Sequence, residues 1–445
     1  MKLFYAIIIL LILNNCSFDN KSGIWKNESY SSKNDKTKNE TYVKLNKLLL
    51  KDEGFDKKIN LDIKFIPNLS SLIDNSEWND SFYDKSNNLK NFKYSNLHNE
   101  VFESRKLSRN KTNEYLLFSN EQLIISDQKG NIIFFSTNEN RITNKFNFYK
   151  KKYKNLKKKL NLILNGNTIY VSDNMGYLYS YDIRLNKVLW AKNYKIPFRS
   201  NLKMHDNKIF ASNLNNDLLI IDKVSGDLLK QLPTEPTVIK NNFKNNFALD
   251  EEKTLFFLNS YGSLYAVDLD VLDVKWFLNL NSTFDLNPSN LFASNQIIYQ
   301  NKKIIISSQH FIYIIDSNTG SILYKNNFST YIRPIINNDY LFLISKNNFL
   351  ISLNLSNLKI LYSYNIDEQI ADFLDIKKKK VKLKSFLIAN NEILILLSNS
   401  YILNFDIKGK LKKIKKLNSK VSSQPIFIEK SLLYLDNKNK LIILN

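Results

Sequence analysis

The sequence of this 445-residue chain predicts an all-β fold, an eight-bladed β-propeller of four-stranded antiparallel blades that is closed by an N-terminal strand. The clearest unit is IYVSDNMGYLYSYDIRLNKVLW at residues 169–190, where two short polar turns separate three apolar runs. Two tight turns between three β-branched and aromatic runs are typical of a β-meander. Because such a unit cannot bury its apolar face alone, it favours a repeat architecture.

The same unit recurs along the chain. With Asp182 as the reference, equivalent residues end apolar runs at intervals of 38 to 52 residues, at Ser136, Asp222, Asp268, Asp316, Asn354, Asp406 and Asn445. The first turns carry, at one common position, mostly residues that tolerate positive φ, namely Gly130, Gly176, Asn216, Gly262, His310, Asn348, Ser400 and Asn439. Gly226 and Gly320 lie four residues past their reference, and Trp190, Trp276, Tyr324 and Tyr362 lie eight past. An isolated amphipathic hairpin could explain one such segment, but it does not explain eight units with equivalent residues at the same positions.

A fourth strand and a closing strand complete the architecture. Earlier apolar runs precede seven units, at 116–118, 162–164, 247–249, 297–299, 334–336, 386–389 and 425–428. The last unit stops at Asn445 and lacks its third run, whereas residues 101–105 resemble such a run. We expect this N-terminal strand to complete the last blade and remove an exposed sheet edge.

The formal charge of +22 raises the question of an anionic partner. Only six residues are arginine, and lysine is scattered through most turns. The densest basic runs, 150–159, 377–384 and 408–416, fall between strands or blades, where charge runs are usually solvated. The pattern predicts no nucleic-acid partner and leaves open a weak membrane or acidic-partner role.

The N-terminus has the sequence pattern of an export signal. Lys2 precedes an apolar run at residues 3–13, which is too short to span a bilayer, and Asn15 and Cys16 follow it. A cysteine directly after the apolar core resembles the bacterial lipoprotein signal, which implies lipidation at Cys16, although Asn15 stands where a small residue is usual. A plain signal peptide with an incidental cysteine is the alternative. With one cysteine in the chain, no internal disulfide can form.

Composition divides the chain into four segments. Residues 1–15 are the predicted lipoprotein signal peptide, and residues 16–67, rich in Lys, Asn and Ser, are a predicted flexible polar tether. Residues 68–100 contain Trp78, Phe82 and Phe92 in a polar background and are expected to dock on the folded body through these aromatics. Residues 101–445 form the predicted propeller.

The unit resembles a known family. Gly176-Tyr177-Leu178-Tyr179 with Asp182 and Trp190, and residues 262–268 with Trp276, are similar to the repeats of quinoprotein-like propellers. Together with Cys16 and the tether, they resemble the outer-membrane assembly lipoproteins of that family. The resemblance covers nearly the whole chain, although several units lack the glycine or the tryptophan.

The resemblance implies a mechanical function without a cofactor. The chain would be a lipid-anchored scaffold on the periplasmic side of the outer membrane, assisting the folding and insertion of β-barrel proteins. Its implied partners are the periplasmic domains of the barrel-inserting subunit (BamA) and nascent outer-membrane proteins, whose strands could be held at a blade edge. The implied contact lies in Pro197, Phe198, Arg199 and Ser200, which resemble the segment through which the family contacts its barrel-forming partner.

Two other classes share this fold. A quinone-dependent dehydrogenase would need a singular catalytic aspartate, whereas the aspartates here recur in most units and are better interpreted as turn residues. The three histidines, His98, His205 and His310, occupy unrelated repeat positions and predict no metal site. A ligand- or sugar-binding propeller at the cell surface is the nearer alternative to the scaffold.

Overall fold

The computed structural model describes residues 16–18, 25–27, 55–62, 67–149, 153, 155–236, 244–281 and 292–445, in two units. The first unit, Met1–Glu53, contains an antiparallel pair of short strands, β1 (Cys16–Phe18) and β2 (Trp25–Asn27). The second unit, Gly54–Asn445, contains the repeats. The predicted signal peptide at 1–15 and most of the predicted tether lie outside the described residues.

Eight four-stranded antiparallel blades form a ring in the second unit, which confirms the predicted fold class. Blades 1 to 4 are β5–β8 (Leu117–Ser119, Gln122–Ser126, Asn131–Ser136, Arg141–Asn147), β9–β12 (Leu160–Asn165, Thr168–Asp173, Tyr177–Asp182, Lys187–Asn193), β13–β16 (Lys203–His205, Lys208–Ser212, Leu218–Asp222, Leu228–Leu232) and β17–β20 (Asn246–Leu249, Thr254–Leu258, Ser263–Asp268, Val274–Asn279). Blades 5 to 7 are β21–β24 (Ile298–Gln300, Lys303–Ser307, Ile312–Asp316, Ile322–Asn326), β25–β28 (Ile335–Asn337, Tyr340–Ile344, Phe349–Asn354, Lys359–Asn365) and β29–β32 (Leu383–Ala389, Glu392–Leu397, Tyr401–Asp406, Leu411–Lys416). Within each blade the first strand is innermost, and the last strand, with alternating exposure, is outermost.

Blade 8 is closed by the N-terminal strand, as the sequence predicts. Its first three strands are β33 (Ile426–Ile428), β34 (Ser431–Leu435) and β35 (Leu441–Leu444), and its outer strand is β4 (Glu100–Glu103). The antiparallel register sets Ile443 opposite Phe102. The two ends of the propeller sequence therefore share one sheet, and no edge of β35 is left for another chain.

The turns confirm the repeat register. In seven blades the first-turn residue has φ between 60° and 96°, a range that Gly and Asn accept most readily; His310 is the exception. The reference aspartates end the third strands and accept backbone hydrogen bonds within their own turns. Asp222 Oδ1, for example, accepts from the N–H groups of Val224 (2.9 Å) and Ser225 (2.7 Å). These carboxylates hold turns together, as predicted.

The glycines and aromatics past each reference position meet across blade boundaries. The Trp190 ring of blade 2 lies over Gly226 of blade 3, where a Cβ would come within 2.6 Å of it, and Trp276 lies over Gly320 in the same way. The Trp276 indole N–H donates to the Ser317 carbonyl at 2.9 Å. These contacts fix the packing of adjacent blades, which explains why the two residue types recur in pairs.

Two elements depart from the expected pattern. The inner strand of blade 3, β13, was not among the predicted apolar runs because it reads Lys203-Met204-His205. The helix α1 (Ile366–Leu374) lies between blades 6 and 7; Asn365 caps it by accepting from the Glu368 N–H. No repeat position predicts either element, since each belongs to a single blade or connection.

Candidate functional site

The inner strands surround a cavity of about 450 Å³. Its walls come from residues at the beginnings of the inner strands of six blades, including Glu114, Lys244, Arg333 and Lys384. Trp78 and Phe82, from the N-terminal segment, line the same cavity. The cavity is therefore the axial channel of the propeller, and the first turns and the connections between blades lie around its mouth.

Residues 73–98, here called the plug, close the other end of the channel. The plug contacts the inner-strand ends of the eight blades in chain order. The contacts are Trp78 with Phe118, Asn79 with Leu164, Asp80 with Lys203, Lys85 with Leu249, Ser86 with Tyr299, Asn88 with Ile336, Phe92 with Ala389, and Ser95 with Lys430. Its strand β3 (Asn91–Phe92) pairs in parallel with β29. The plug therefore ties the whole ring together from inside.

Aromatic side chains anchor the plug. Trp78, Phe92 and Tyr94 are buried, and they share one apolar cluster with residues of blades 1, 7 and 8. The Phe92 ring lies 5.2 Å from the Phe427 ring and 5.8 Å from the Trp78 ring, within the range of favourable aromatic pairs. Burial of these rings provides the main apolar stabilisation of the plug.

Asparagine side chains in the plug replace backbone partners. The Asn88 amide N–H donates to the Ile336 carbonyl at 2.8 Å, and its oxygen accepts from the Ile336 N–H at 2.9 Å. Asn87 donates to the carbonyls of Phe247 and Ile297, in blades 4 and 5. A primary amide has the same kinds of donor and acceptor as a peptide group. The asparagine side chains can therefore bond to backbone groups at the ends of the inner strands that the plug backbone does not reach.

A buried ion pair joins the plug to blade 3. Lys203 Nζ lies 2.7 Å from Asp80 Oδ2 and donates to the Asp84 carbonyl at 2.7 Å. The Lys203 side chain is 1% exposed. Burial lowers the pKa of Lys203 and raises the pKa of Asp80, and each partner opposes the shift of the other. This pair was not predicted from the sequence. The sequence feature that could have indicated it is Lys203 itself, because the other inner strands have an apolar residue at the equivalent position.

His98 lies at the end of the plug in a closed hydrogen-bond chain. Its Nε2 is 2.7 Å from Asn404 Oδ1 and its Nδ1 is 2.9 Å from the Tyr94 hydroxyl, which suits a neutral imidazole. Asn404 is oriented by donating to Asn96 Oδ1. Burial lowers the pKa of His98 to about 4, with Lys413 and Lys415 adding to this shift while the Asn404 contact and Glu392 oppose it.

We expect the stability of the folded protein to fall as the pH falls from about 6.5 to about 4 through His98. The unfolded chain takes up a proton on His98 near pH 6.5, whereas the folded state resists protonation down to about pH 4. The difference corresponds to about 3 kcal/mol of unfolding free energy. Urea unfolding at several pH values should show that the unfolding free energy depends less on pH in His98→Gln than in the unmodified protein. The variant His310→Gln, in an exposed turn, is the control, and an equal effect of both variants would contradict the assignment.

The predicted partner-binding residues lie in the connection between blades 2 and 3. Phe198 packs in the apolar cluster of these blades, and Ser200 is fully buried. Arg199 is 5% exposed, and its Nη1 donates to Ser260 Oγ (2.8 Å) and Asn216 Oδ1 (3.2 Å). Pro197 is half-buried. The partner-binding role of the four residues stays a prediction, and their geometry gives Phe198, Arg199 and Ser200 internal contacts instead of an open face.

Lipidation of Cys16 also stays a prediction. Cys16 begins β1, opposite Asn27. In the parts of the chain that the structure describes, no helix has the length and apolar character needed to cross a membrane. Within the same residues, no three His, Cys, Asp or Glu side chains are grouped as metal ligands.

Comparison with known proteins agrees with this geometry. Residues 152–364 match the profile of the family described as "Outer membrane protein assembly factor BamB". A search of curated proteins finds no significant match. The solved structure of BamB from Moraxella catarrhalis is similar, with a TM-score of 0.60, 12% identity, and coverage of 78% of this chain and 99% of that one.

The same fold occurs in proteins of other functions. The quinohemoprotein alcohol dehydrogenase from Comamonas testosteroni superposes with a TM-score of 0.60 at 9% identity, covering 83% of this chain and 80% of that one. The computationally designed Ika8 protein superposes with a TM-score of 0.55 at 10% identity, covering 77% and 99%. At these identities the likenesses establish the fold alone. Residues 152–364, just under half of the chain, match that family's model, and the chain is similar to BamB-like propellers of PQQ-type repeats.

Proposed function

We propose that this protein is a non-catalytic scaffold lipoprotein of the β-barrel assembly machinery. The observation that carries the proposal is the match of residues 152–364 to the outer membrane protein assembly factor family. In this proposal the protein is anchored through Cys16 to the outer membrane, faces the periplasm, holds the periplasmic domains of BamA and assists nascent barrel proteins. The repeated aspartates of the blades support a non-catalytic role, because they are engaged in their own turns.

The mechanical properties of the fold suit a scaffold. The plug touches every blade and the N-terminal strand closes the ring, so the first-turn loops are presented from a stiff base. Among the described strands, the outer strand of each blade pairs with no further strand on its outer edge, for example β20 and β24. An extended segment of a nascent barrel protein could add to such an edge through backbone hydrogen bonds.

The anchor is tested by Cys16→Ser. We expect this variant to leave the membrane pellet and appear in the soluble periplasmic fraction, because the acyl chains on Cys16 would provide the membrane affinity. Fractionation followed by immunoblotting measures the effect. A variant that stays in the membrane pellet as fully as the unmodified sequence would contradict anchoring through Cys16.

The partner contact is tested at the exposed part of the predicted connection. Lys195 is exposed and Ile196 is half-buried beside Pro197, whereas Arg199 is internal. We expect Lys195→Glu combined with Ile196→Asp to weaken binding to the periplasmic domains of BamA by about 1–3 kcal/mol with the fold unchanged. Titration calorimetry with the full-length protein measures the affinity.

The control for this experiment is Lys187→Glu, an exposed lysine that begins β12 at the opposite end of blade 2. It should leave the affinity unchanged. Arg199→Ala is expected to lower thermal stability, because it leaves polar partners unsatisfied inside the fold. If the double variant and the control bind the periplasmic domains of BamA with equal affinity, this connection is not part of the interface.

A further inference from the structure

Three cationic side chains converge on the axial channel from three blades. Lys244 precedes the inner strand of blade 4, Arg333 precedes that of blade 6, and Lys384 lies in that of blade 7. The repeats do not require a cation at these places, since the residues equivalent to Arg333 in blades 1 and 8 are Tyr115 and Gln424. Their convergence is a property of this channel.

The negative charge in the channel lining does not balance these cations. Glu114 is the one carboxylate among the described residues of the channel wall, and it lies 3.4 Å from Lys384 Nζ. In the described parts of the chain, neither Arg333 nor Lys244 has a carboxylate oxygen within 4.0 Å. The channel lining therefore has three cations and one carboxylate, and Asp80 and Asp84 of the plug act on Arg333 only through longer-range attraction.

The two cations without a carboxylate are held by neutral groups. Arg333 Nη1 donates to the Phe82 carbonyl at 3.1 Å, and the guanidinium lies over the Phe82 ring, 5.2 Å from its centre. Lys244 Nζ donates to Asn201 Oδ1 at 3.3 Å and lies 5.6 Å from the centre of the Tyr115 ring. These contacts orient the cations and add no negative charge next to them.

The surroundings increase the attraction for an anion. Desolvation by the surrounding protein lowers the pKa of Arg333 to about 10, although Tyr115, Asp84 and Asp80 oppose this shift. It also lowers the pKa of Lys244, although Glu114 opposes that shift. The Lys244 side chain is nevertheless open to the channel. An anion entering from the mouth would therefore meet cations in a region of reduced dielectric screening, where ion pairs are stronger than at the surface.

We propose that the axial channel is a binding site for a small anion with two or more carboxylate or phosphate groups. Arg333 contacts the plug and would hold the anion at the closed end, and Lys244 and Lys384 would hold it from the walls. A volume of about 450 Å³ suits a small molecule, and the plug prevents a polymer from passing through. The arginine offers a planar pair of donors that matches either anionic group.

The site is tested by titration calorimetry of the full-length protein at about 0.15 M chloride, where surface charges are largely screened. Citrate probes carboxylates, pyrophosphate probes phosphates, and acetate is the single-charge control. We expect saturable binding at one site for citrate or pyrophosphate, and none for acetate. The arm that binds more tightly identifies the anionic group.

Variants locate the binding. Lys244→Gln and Arg333→Gln should each weaken it by about tenfold or more, the scale for loss of a charged hydrogen bond, whereas the exposed Lys187→Gln should leave it unchanged. Because Arg333 also holds the plug, Lys244→Gln decides the result if Arg333→Gln is unfolded. Absence of saturable binding by both probes, or equal weakening by Lys187→Gln and Lys244→Gln, would overturn the proposal.

Discussion

Deletion of residues 17–110 is expected to abolish cooperative folding of the propeller. This deletion removes β4, which leaves blade 8 with three strands and exposes the edge of β35. It also removes the plug, whose contacts reach all eight blades. Each lost contact leaves buried strand ends without partners, so the loss exceeds the few kcal/mol by which domains of this kind are stable.

The matched control is deletion of residues 17–54, which leaves the described parts of the second unit intact. Its thermal transition, followed by circular dichroism, should coincide with that of the full-length protein. Deletion of residues 17–98 keeps β4 and removes the plug, so its transition should lie below that of the control. Equal transitions after deletion of 17–54 and of 17–110 would contradict the role given to β4 and the plug.

Asp80→Ala is expected to lower the unfolding free energy by about 3–5 kcal/mol, the scale for breaking a buried ion pair. The substitution leaves the ammonium of Lys203, which is 1% exposed, without its carboxylate. Because burial already lowers the pKa of Lys203, the variant gains stability as the pH rises towards that of an unfolded lysine, about 10.4. Chemical denaturation at neutral and alkaline pH measures both effects.

Two controls separate the pair from general damage to the plug. Lys203→Met in the Asp80→Ala background removes the unpaired charge and should recover most of the loss. Asp273→Ala breaks the exposed pair with Lys230, at 2.5 Å, and should cost less than about 1 kcal/mol. A loss that Lys203→Met does not reduce would contradict a charge-based explanation.

The repeat architecture could be predicted from the sequence because its determinants are local. Positive φ at Gly176 and a turn carboxylate at Asp182 need only neighbouring residues, and they recur often enough to set the register. The pairing of Trp190 with Gly226 spans two blades, yet the sequence indicates it because each residue lies at a fixed distance past the reference position of its own unit. The closing strand could be predicted because the last unit lacks one.

The plug contacts and the channel could not be predicted from the same patterns. Asn88 bonds to Ile336, 248 residues away, and nothing near Asn88 specifies that partner. In the sequence, nothing distinguishes Lys203 from a surface lysine, and only the fold brings it next to Asp80. Phe198 and Arg199 have the composition of an interface loop, but their position at a blade junction turns both side chains inward.

The most direct test of the scaffold function is affinity purification of the tagged full-length protein from detergent-solubilised outer membranes, followed by mass spectrometry. A scaffold of the barrel-assembly machinery should retain the barrel-inserting subunit in near-stoichiometric amount, and deletion of residues 17–110 should abolish its recovery. If no barrel-assembly subunit is enriched over a tag-only control while the folded propeller is recovered intact, the proposed function is wrong.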